Sequence, residues 1–248
     1  MAVLVTRPQP DDETTAAALR ARGFAVLTAP MLRFEPVAFH DDEDTRYGAV
    51  IVTSANALRG IEPHLKGSRL LKLPLFAVGE HTAATARGIG FENVMVANGD
   101  ASRLRDLVLA GVKARTLKKA SPLLYLAGAD LARDLSGELG ERGFTVVTQT
   151  TYRMAAVSAL PREVCDAFVA GGIEAVLHYS RRSVRAYLEA ARTAGVEISA
   201  LAIPQCCISD GVATVVRDAG ATQVVVAASP DENGLFGALD RALRPISR

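Results

Sequence analysis

Four landmarks of this chain recur, in the same order, 120 to 130 residues further on. Arg22-Gly-Phe-Ala-Val-Leu-Thr28 is answered by Arg142-Gly-Phe-Thr-Val-Val-Thr148, and Val50-Ile-Val-Thr-Ser-Ala-Asn-Ala-Leu58 by Val176-Leu-His-Tyr-Ser-Arg-Arg-Ser-Val184. Ala77–Gly90 corresponds to Cys207–Gly220, and Val94-Met-Val-Ala97 to Val224-Val-Val-Ala227. Most of these stretches are a short apolar run beside small polar residues or a glycine, the pattern of a buried strand next to a helix. A single echo would carry little weight. Four in a common order point to two homologous α/β halves, about 1–119 and 120–248.

The opening follows the same logic. Val3 to Thr6 reads as a strand closed by Arg7 and Pro8. A helix is expected next, capped by Asp11 or Asp12 and running through Ala16 to Arg22 to a glycine stop at Gly23. Phe24 to Leu27 gives a second strand. Strands and helices alternating at these lengths imply parallel sheets with right-handed crossovers and helices on both faces. In such sheets a ligand lies beyond the carboxyl ends of the strands. The residues at those ends are Thr6-Arg7, Thr53-Ser54, Gly79-Glu80-His81-Thr82, Asn98-Gly99-Asp100, Gly128-Ala129-Asp130, Tyr179-Ser180, Ser209-Asp210-Gly211 and Ser229-Pro230. Small and hydroxylic residues there leave helix-start N–H groups open to an anionic ligand, and they are also ordinary helix caps. Ser54 and Ser180 hold equivalent places in the repeat.

Several classes of function are disfavoured. A net charge of +1 gives no broad surface for nucleic acid, and Lys113, Arg115, Lys118 and Lys119 read as a solvated connector. Cys165, Cys206 and Cys207 lack ligand spacing and are expected to be buried thiols. The four histidines form no metal-binding motif. There is no Gly-x-Gly-x-x-Gly turn, no Gly-x-x-x-x-Gly-Lys-Ser/Thr loop and no Gly-x-Ser-x-Gly elbow. No run is long and apolar enough to suggest a membrane span, and the first residues enter a strand-like run rather than a signal peptide, so the cytoplasm is the expected compartment.

Taken together, the motifs resemble those of uroporphyrinogen-III synthases. The likeness rests on Val-Leu-Val-Thr-Arg-Pro at 3–8, Val-Ile-Val-Thr-Ser-Ala-Asn-Ala at 50–57, Ala-Val-Gly-Glu-His-Thr-Ala at 77–83 and Ala-Gly-Ala-Asp-x-x-Arg-Asp-Leu at 127–135. It continues through Thr-Tyr-Arg at 151–153, His-Tyr-Ser-Arg-Arg-Ser-Val at 178–184 and Ala-Ala-Ser-Pro at 227–230. The resemblance implies an α/β fold of two lobes, each a parallel sheet flanked by helices, joined by a two-stranded linker with a cleft between the lobes. The lobes then differ from the sequence halves: lobe 1 would comprise 1–35 and 156–248, lobe 2 would comprise 36–155, and the linkers would lie near 33–38 and 151–158.

The implied reaction is cyclisation of linear hydroxymethylbilane, an eight-carboxylate tetrapyrrole, with inversion of its terminal ring and release of water. No cofactor or metal is implied. The expected protein is a monomer that takes its substrate by transient handover from hydroxymethylbilane synthase and binds neither nucleic acid nor membrane. By the same resemblance Tyr152, following the strand 145–148, is the candidate catalytic residue, a phenol of ordinary pKa about 10 that could donate to the departing hydroxyl. Thr82 matches a cleft threonine, and Arg7 and Arg133 match basic positions of bacterial relatives. Ser54 and Ser180, expected to face each other across the cleft, complete the candidate substrate-binding set with Ser209, Gly211 and Ser229. The chain departs from the pattern at Val212, where relatives often carry threonine, and at His178 and Tyr179, in place of the more usual phenylalanine and threonine. The alternative reading is a non-catalytic two-lobed tetrapyrrole- or anion-binding module of the same fold.

Overall fold

In the computed structural model the apolar runs form the central strands of two sheets. Residues 1–42, 44–131 and 133–243 are described; 244–248, the end of the expected first lobe, lie outside the described residues. The strands are β1 (Ala2–Val5), β2 (Ala25–Thr28), β3 (Leu32–Pro36), β4 (Ala49–Val52), β5 (Leu75–Ala77), β6 (Val94–Val96), β7 (Leu123–Gly128), β8 (Val146–Ala156), β9 (Ile173–His178), β10 (Gln205–Cys207) and β11 (Val224–Val226). The helices are α1 (Asp11–Ala21), α2 (Ala55–Arg59), α3 (Glu62–Leu65), α4 (Glu80–Ile89), α5 (Ala101–Lys113), α6 (Leu135–Gly140), α7 (Arg162–Val169), α8 (Arg181–Thr193), α9 (Glu197–Ala202), α10 (Asp210–Asp218) and α11 (Glu232–Leu243).

The chain divides into two units, 1–33 with 155–248 and 34–154. The first holds a parallel five-stranded sheet of order β11-β10-β9-β1-β2. Leu4 and Val176 pack on one face with Val184, Tyr187 and Ala191 of α8, while Val3, Val5 and Leu177 pack on the other with Leu19 of α1 and Leu235 and Leu239 of α11. Spacings of three and four along α8 put its apolar stripe on the sheet.

The second unit holds a six-stranded sheet of order β3-β8-β7-β4-β5-β6. Its four strands β7, β4, β5 and β6 run parallel, as does β8 beside β7. All four residues of β4 are buried, which is why this run carries no alternation. Edge strand β3 runs antiparallel to β8: Val37 N–H donates to the Thr151 carbonyl and Val157 N–H to that of Met31.

The compact units are not the two repeated halves. β1, α1 and β2 belong to the sheet of β9 to β11, whereas β7, α6 and β8 belong to the sheet of β4 to β6. Repeated strands nevertheless take equivalent places, β2-β1-β9-β10-β11 in one sheet and β8-β7-β4-β5-β6 in the other. The shared Arg-Gly-Phe turn has the same cause in both: Gly23 and Gly143 adopt φ of +90° and +81°, where a side chain would be strained.

Three local expectations change. The first two strands lie one residue away from the expected bounds, at 2–5 and 25–28. Neither Asp11 nor Asp12 caps α1, whose N-cap is Pro10; Asp11 instead bonds Arg7, and Asp12 is buried with both carboxylate oxygens unpartnered. Burial raises the Asp12 pKa. Finally, the strand expected over 145–148 runs unbroken to Ala156, because its later part pairs with β3, so Tyr152 lies within β8 and not after it.

Candidate functional site

In the first unit Arg7, Ser180, Ser209, Gly211 and Ser229 follow β1, β9, β10 and β11 and thus share the carboxyl edge of one parallel sheet. Their side chains are differently engaged. Ser180 is the N-cap of α8 and its Oγ accepts the Ser183 N–H at 3.0 Å. Ser209 stands at the N-cap of α10 in extended conformation but makes no side-chain cap, so the first-turn N–H groups at Asp210 and Gly211 are left uncapped. At α11 Asp231 accepts the Gly234 N–H at 2.8 Å. That bond, helped by the Ser229 hydroxyl, holds the Asp231 carboxyl below the usual carboxylate range.

Arg7 is tied into a polar cluster that joins distant parts of the sequence. Its guanidinium donates to Glu232 Oε1 at 3.1 Å, Asp11 Oδ2 at 3.2 Å and Thr15 Oγ1 at 3.3 Å, and it stacks 4.8 Å from the Tyr179 ring centre. Thr15 also donates to Glu232. Burial pushes the Tyr179 phenol up to about 12, so it stays protonated. The positive charge of Arg7 is therefore already matched by two carboxylates.

In the second unit Ser54 and Thr82 follow β4 and β5, Arg133 follows β7, and Tyr152 lies on β8 opposite the last residue of β7. Ser54 caps α2, its Oγ accepting the Asn56 N–H at 3.2 Å. Preceding it, Thr53 bonds the Tyr125 hydroxyl at 3.1 Å. Helix α4 starts at Gly79 with no side-chain cap, as α10 does in the other sheet. Thr82, in its first turn, is 5% exposed, and its counterpart Val212 in α10 is 4% exposed. Arg133 donates to both carboxylate oxygens of Glu138 and to the Ser102 hydroxyl. These bonds hold the Glu138 carboxyl below its usual range, first through Arg133 and then through Arg105. Like Arg7, Arg133 has its charge matched within the protein.

Among the described residues the Tyr152 hydroxyl makes no hydrogen bond, and the ring is set by its neighbours. Its ring lies near-parallel to Phe34, with centres 5.8 Å apart and planes 22° apart. Across from it is Gly128, so close that a Cβ there would stand 2.7 Å from Tyr152 Cζ and 2.8 Å from its hydroxyl oxygen. The ladder between β7 and β8 slips between Ala127 and Gly128: Ala127 pairs with Thr150, but Gly128 with Tyr152. The residue left over, Thr151, is fully buried and its hydroxyl donates to the Ala57 carbonyl at 2.9 Å. The sequence places Gly128 among the strand-end residues but carries no sign that Gly128 and Phe34 flank Tyr152; the one local hint is a glycine ending the apolar run Leu123–Gly128.

Among the described residues no group of three or more His, Cys, Asp or Glu side chains is placed to hold a metal, and no helix is long and apolar enough to cross a membrane. Cys206 and Cys207 are buried strand residues whose thiols burial pushes up to about 12, while Cys165 is half-buried.

Comparison with known proteins places this arrangement. No curated protein gives a significant sequence match. Among solved structures, the chain is similar to uroporphyrinogen-III synthetase from Helicobacter pylori, with 17% identity, a TM-score of 0.66 and coverage of 98% of this chain and 99% of the other. It is also similar to a mutant uroporphyrinogen III synthase from the extremely thermophilic bacterium Thermus thermophilus, with 17% identity, a TM-score of 0.56 and the same coverage. At these identities the structures speak to the fold. The family model described as HEM4, uroporphyrinogen-III synthase HemD, matches residues 13–237. The chain belongs to the uroporphyrinogen-III synthase family.

Proposed function

We propose that this protein cyclises hydroxymethylbilane to uroporphyrinogen III, as a lyase that removes the terminal hydroxyl as water and inverts the last pyrrole ring before closure. The observation that carries the reading, beyond family membership, is the seated Tyr152 on the carboxyl side of the second sheet, its ring held by Phe34 and Gly128. The reaction is redox-neutral. The substrate loses hydroxide from its terminal carbon, a proton from the Tyr152 phenol converts that leaving group to water, and the phenol is restored by the proton released on closure.

The substrate can close without inversion on its own, so the enzyme's task is to favour one folded geometry, which is a matter of orientation. For the substrate carboxylates we assign the open first turns of α4, with Thr82, and α10, with Ser209 and Gly211; uncapped N–H groups and the helix dipole favour anions there. Ser54, Ser180 and Ser229 would contribute donors while keeping their local bonds. Arg7 and Arg133 would act at the rim by exchanging an internal carboxylate for one of the substrate's. On the same reading the protein works as a cytoplasmic monomer and receives its unstable substrate from hydroxymethylbilane synthase.

The test is a coupled assay supplying freshly made hydroxymethylbilane and separating the type III from the type I macrocycle. Wild-type protein should yield type III, and Tyr152→Phe should fold normally but form it about 100-fold more slowly. An unchanged rate would remove Tyr152 from the mechanism; type I alone from wild type would leave only the binding-module reading.

A further inference from the structure

Tyr152 sits on a strand, where successive side chains point to alternate faces and nothing but the neighbours fixes a long aromatic ring. Besides the core cluster against which Tyr152 packs, two neighbours bear directly on its ring here. Phe34 covers one face of the ring at 5.8 Å between centres, and the three nearest heavy atoms to a Cβ at Gly128 all belong to Tyr152: Cζ at 2.7 Å, the hydroxyl oxygen at 2.8 Å and Cε1 at 3.0 Å. A methyl group at 128 would occupy the space in which the phenol lies. Because Gly128 has no unusual positive φ and meets nothing closer, its backbone alone does not require glycine. The ring is what requires it.

The main chain brings the ring to this seat. Without the slip between β7 and β8, Gly128 would face Thr151; with it, Gly128 faces Tyr152. Thr151 is clamped by its hydroxyl bond to the Ala57 carbonyl and by the Val37 N–H on its own carbonyl, so the slip is held from both sides. Such irregularities re-aim a side chain beside a site.

We infer that Gly128 and Phe34 are positioning residues for the Tyr152 phenol, the empty Cβ place of Gly128 setting where the hydroxyl stands and Phe34 setting the ring plane. The inference rests on the reading of Tyr152 given above. Neither residue exchanges a proton; each acts through the ring.

The experiment compares Gly128→Ala, Phe34→Leu, Tyr152→Phe and Tyr152→Ala, and the first two changes again in the Tyr152→Ala background, in the coupled assay and by thermal melting. Gly128→Ala should retain its circular dichroism, keep its KM for hydroxymethylbilane within about twofold and lose about 10- to 100-fold in kcat, the scale of an ångström's misplacement. Phe34→Leu should lose in the same sense. In the Tyr152→Ala background, with no ring to displace, both changes should leave the residual rate unaltered. Gly128→Ala at the wild-type rate, with Tyr152→Phe slow, would overturn the role of Gly128 and leave Tyr152 in place. A Gly128→Ala loss that persists without the ring would show a purely structural need for glycine and overturn it equally. Tyr152→Phe at full rate would remove the reading beneath the inference, and the inference with it. Should Gly128→Ala fail to fold alone yet fold with Tyr152→Ala, the steric seat stands; failure in both backgrounds would sink it.

Discussion

Replacing His178 with glutamine should flatten the acid side of the stability profile. His178 closes β9 with no exposed surface, its Nε2–H donating to Gln205 Oε1 at 2.8 Å. The Gln205 amide is fixed in that sense because its nitrogen donates to the carbonyls of Ala200 and Ile203 at 2.7 and 2.9 Å. A second proton on the imidazole would go to Nδ1, 3.4 Å from the Thr6 hydroxyl; that oxygen donates its own proton to the Leu177 carbonyl and could still accept, but it carries no charge to offset a buried imidazolium. Burial therefore depresses the pKa from the ordinary 6.5 to about 4, against the smaller opposing effect of the Gln205 bond. Between those values the unfolded chain binds the proton and the folded chain does not. Stability is then undiminished above pH 6.5 and falls as pH drops through the window, by about 2 kcal/mol at pH 5 and about 3 kcal/mol once below pH 4. The measurement is urea unfolding at pH 7.5 and pH 5, with hydrogen exchange of the β9 amides reporting this sheet. Wild type should lose about 2 kcal/mol more than His178→Gln between the two pH values. Parallel losses would refute the reasoning.

Two further substitutions probe how the strand ends are held. At Gly60, which ends α2 at an ordinary helical φ of −63°, a Cβ would collide with the Thr151 carbonyl, its carbon only 3.0 Å away. Gly60→Ala should cost about 1–3 kcal/mol where an unobstructed site would gain stability, and a raised melting temperature would contradict the clamp. Ser180→Ala removes the cap of α8 and should cost about 1 kcal/mol in chemical denaturation, with Ser180→Asp recovering most of it; equal losses in both would mean that the hydroxyl serves something other than the Ser183 N–H.

What could be read in advance was whatever is local. The buried run at 49–52, the serine caps at 54 and 180 and the glycine stop at Gly23 are written within a few residues of where they act. The Arg7 cluster is not local, since Glu232 lies at the far end of the chain and reaches β1 only because β1 is inserted between β9 and β2 in the same sheet. The same applies to the seat of Tyr152. Its partners come from β3 and β7, and the one-residue slip that pairs it with Gly128 leaves no mark in the pattern of β8 itself. The misplaced cap of α1 has a smaller cause: Asp11 found a better partner in Arg7 than in the helix start.

The two sheets repeat a pattern of helix starts, and this bears on how anions would be held. After β4 and β9 a serine caps the helix; after β6 and β11 an aspartate does; after β5 and β10 no side chain does. A serine or aspartate cap is worth about 1 kcal/mol against alanine and only a few tenths against a glycine such as Gly79, so the missing cap costs little at α4, while at α10 the Ser209 hydroxyl is present and makes no such bond. Arg7 and Arg133 at these edges are each paired with carboxylates of the chain, so they could reach an anion only by exchanging that partner. Among the described residues, the first turns of α4 and α10 start without a side-chain cap, flanked in one copy by a hydroxyl at Thr82 and in the other by the apolar Val212. Backbone donors cannot swing away or be neutralised by a neighbouring acid, which suits a catalyst that must hold a flexible polycarboxylate in one folded form and so withhold the competing closure.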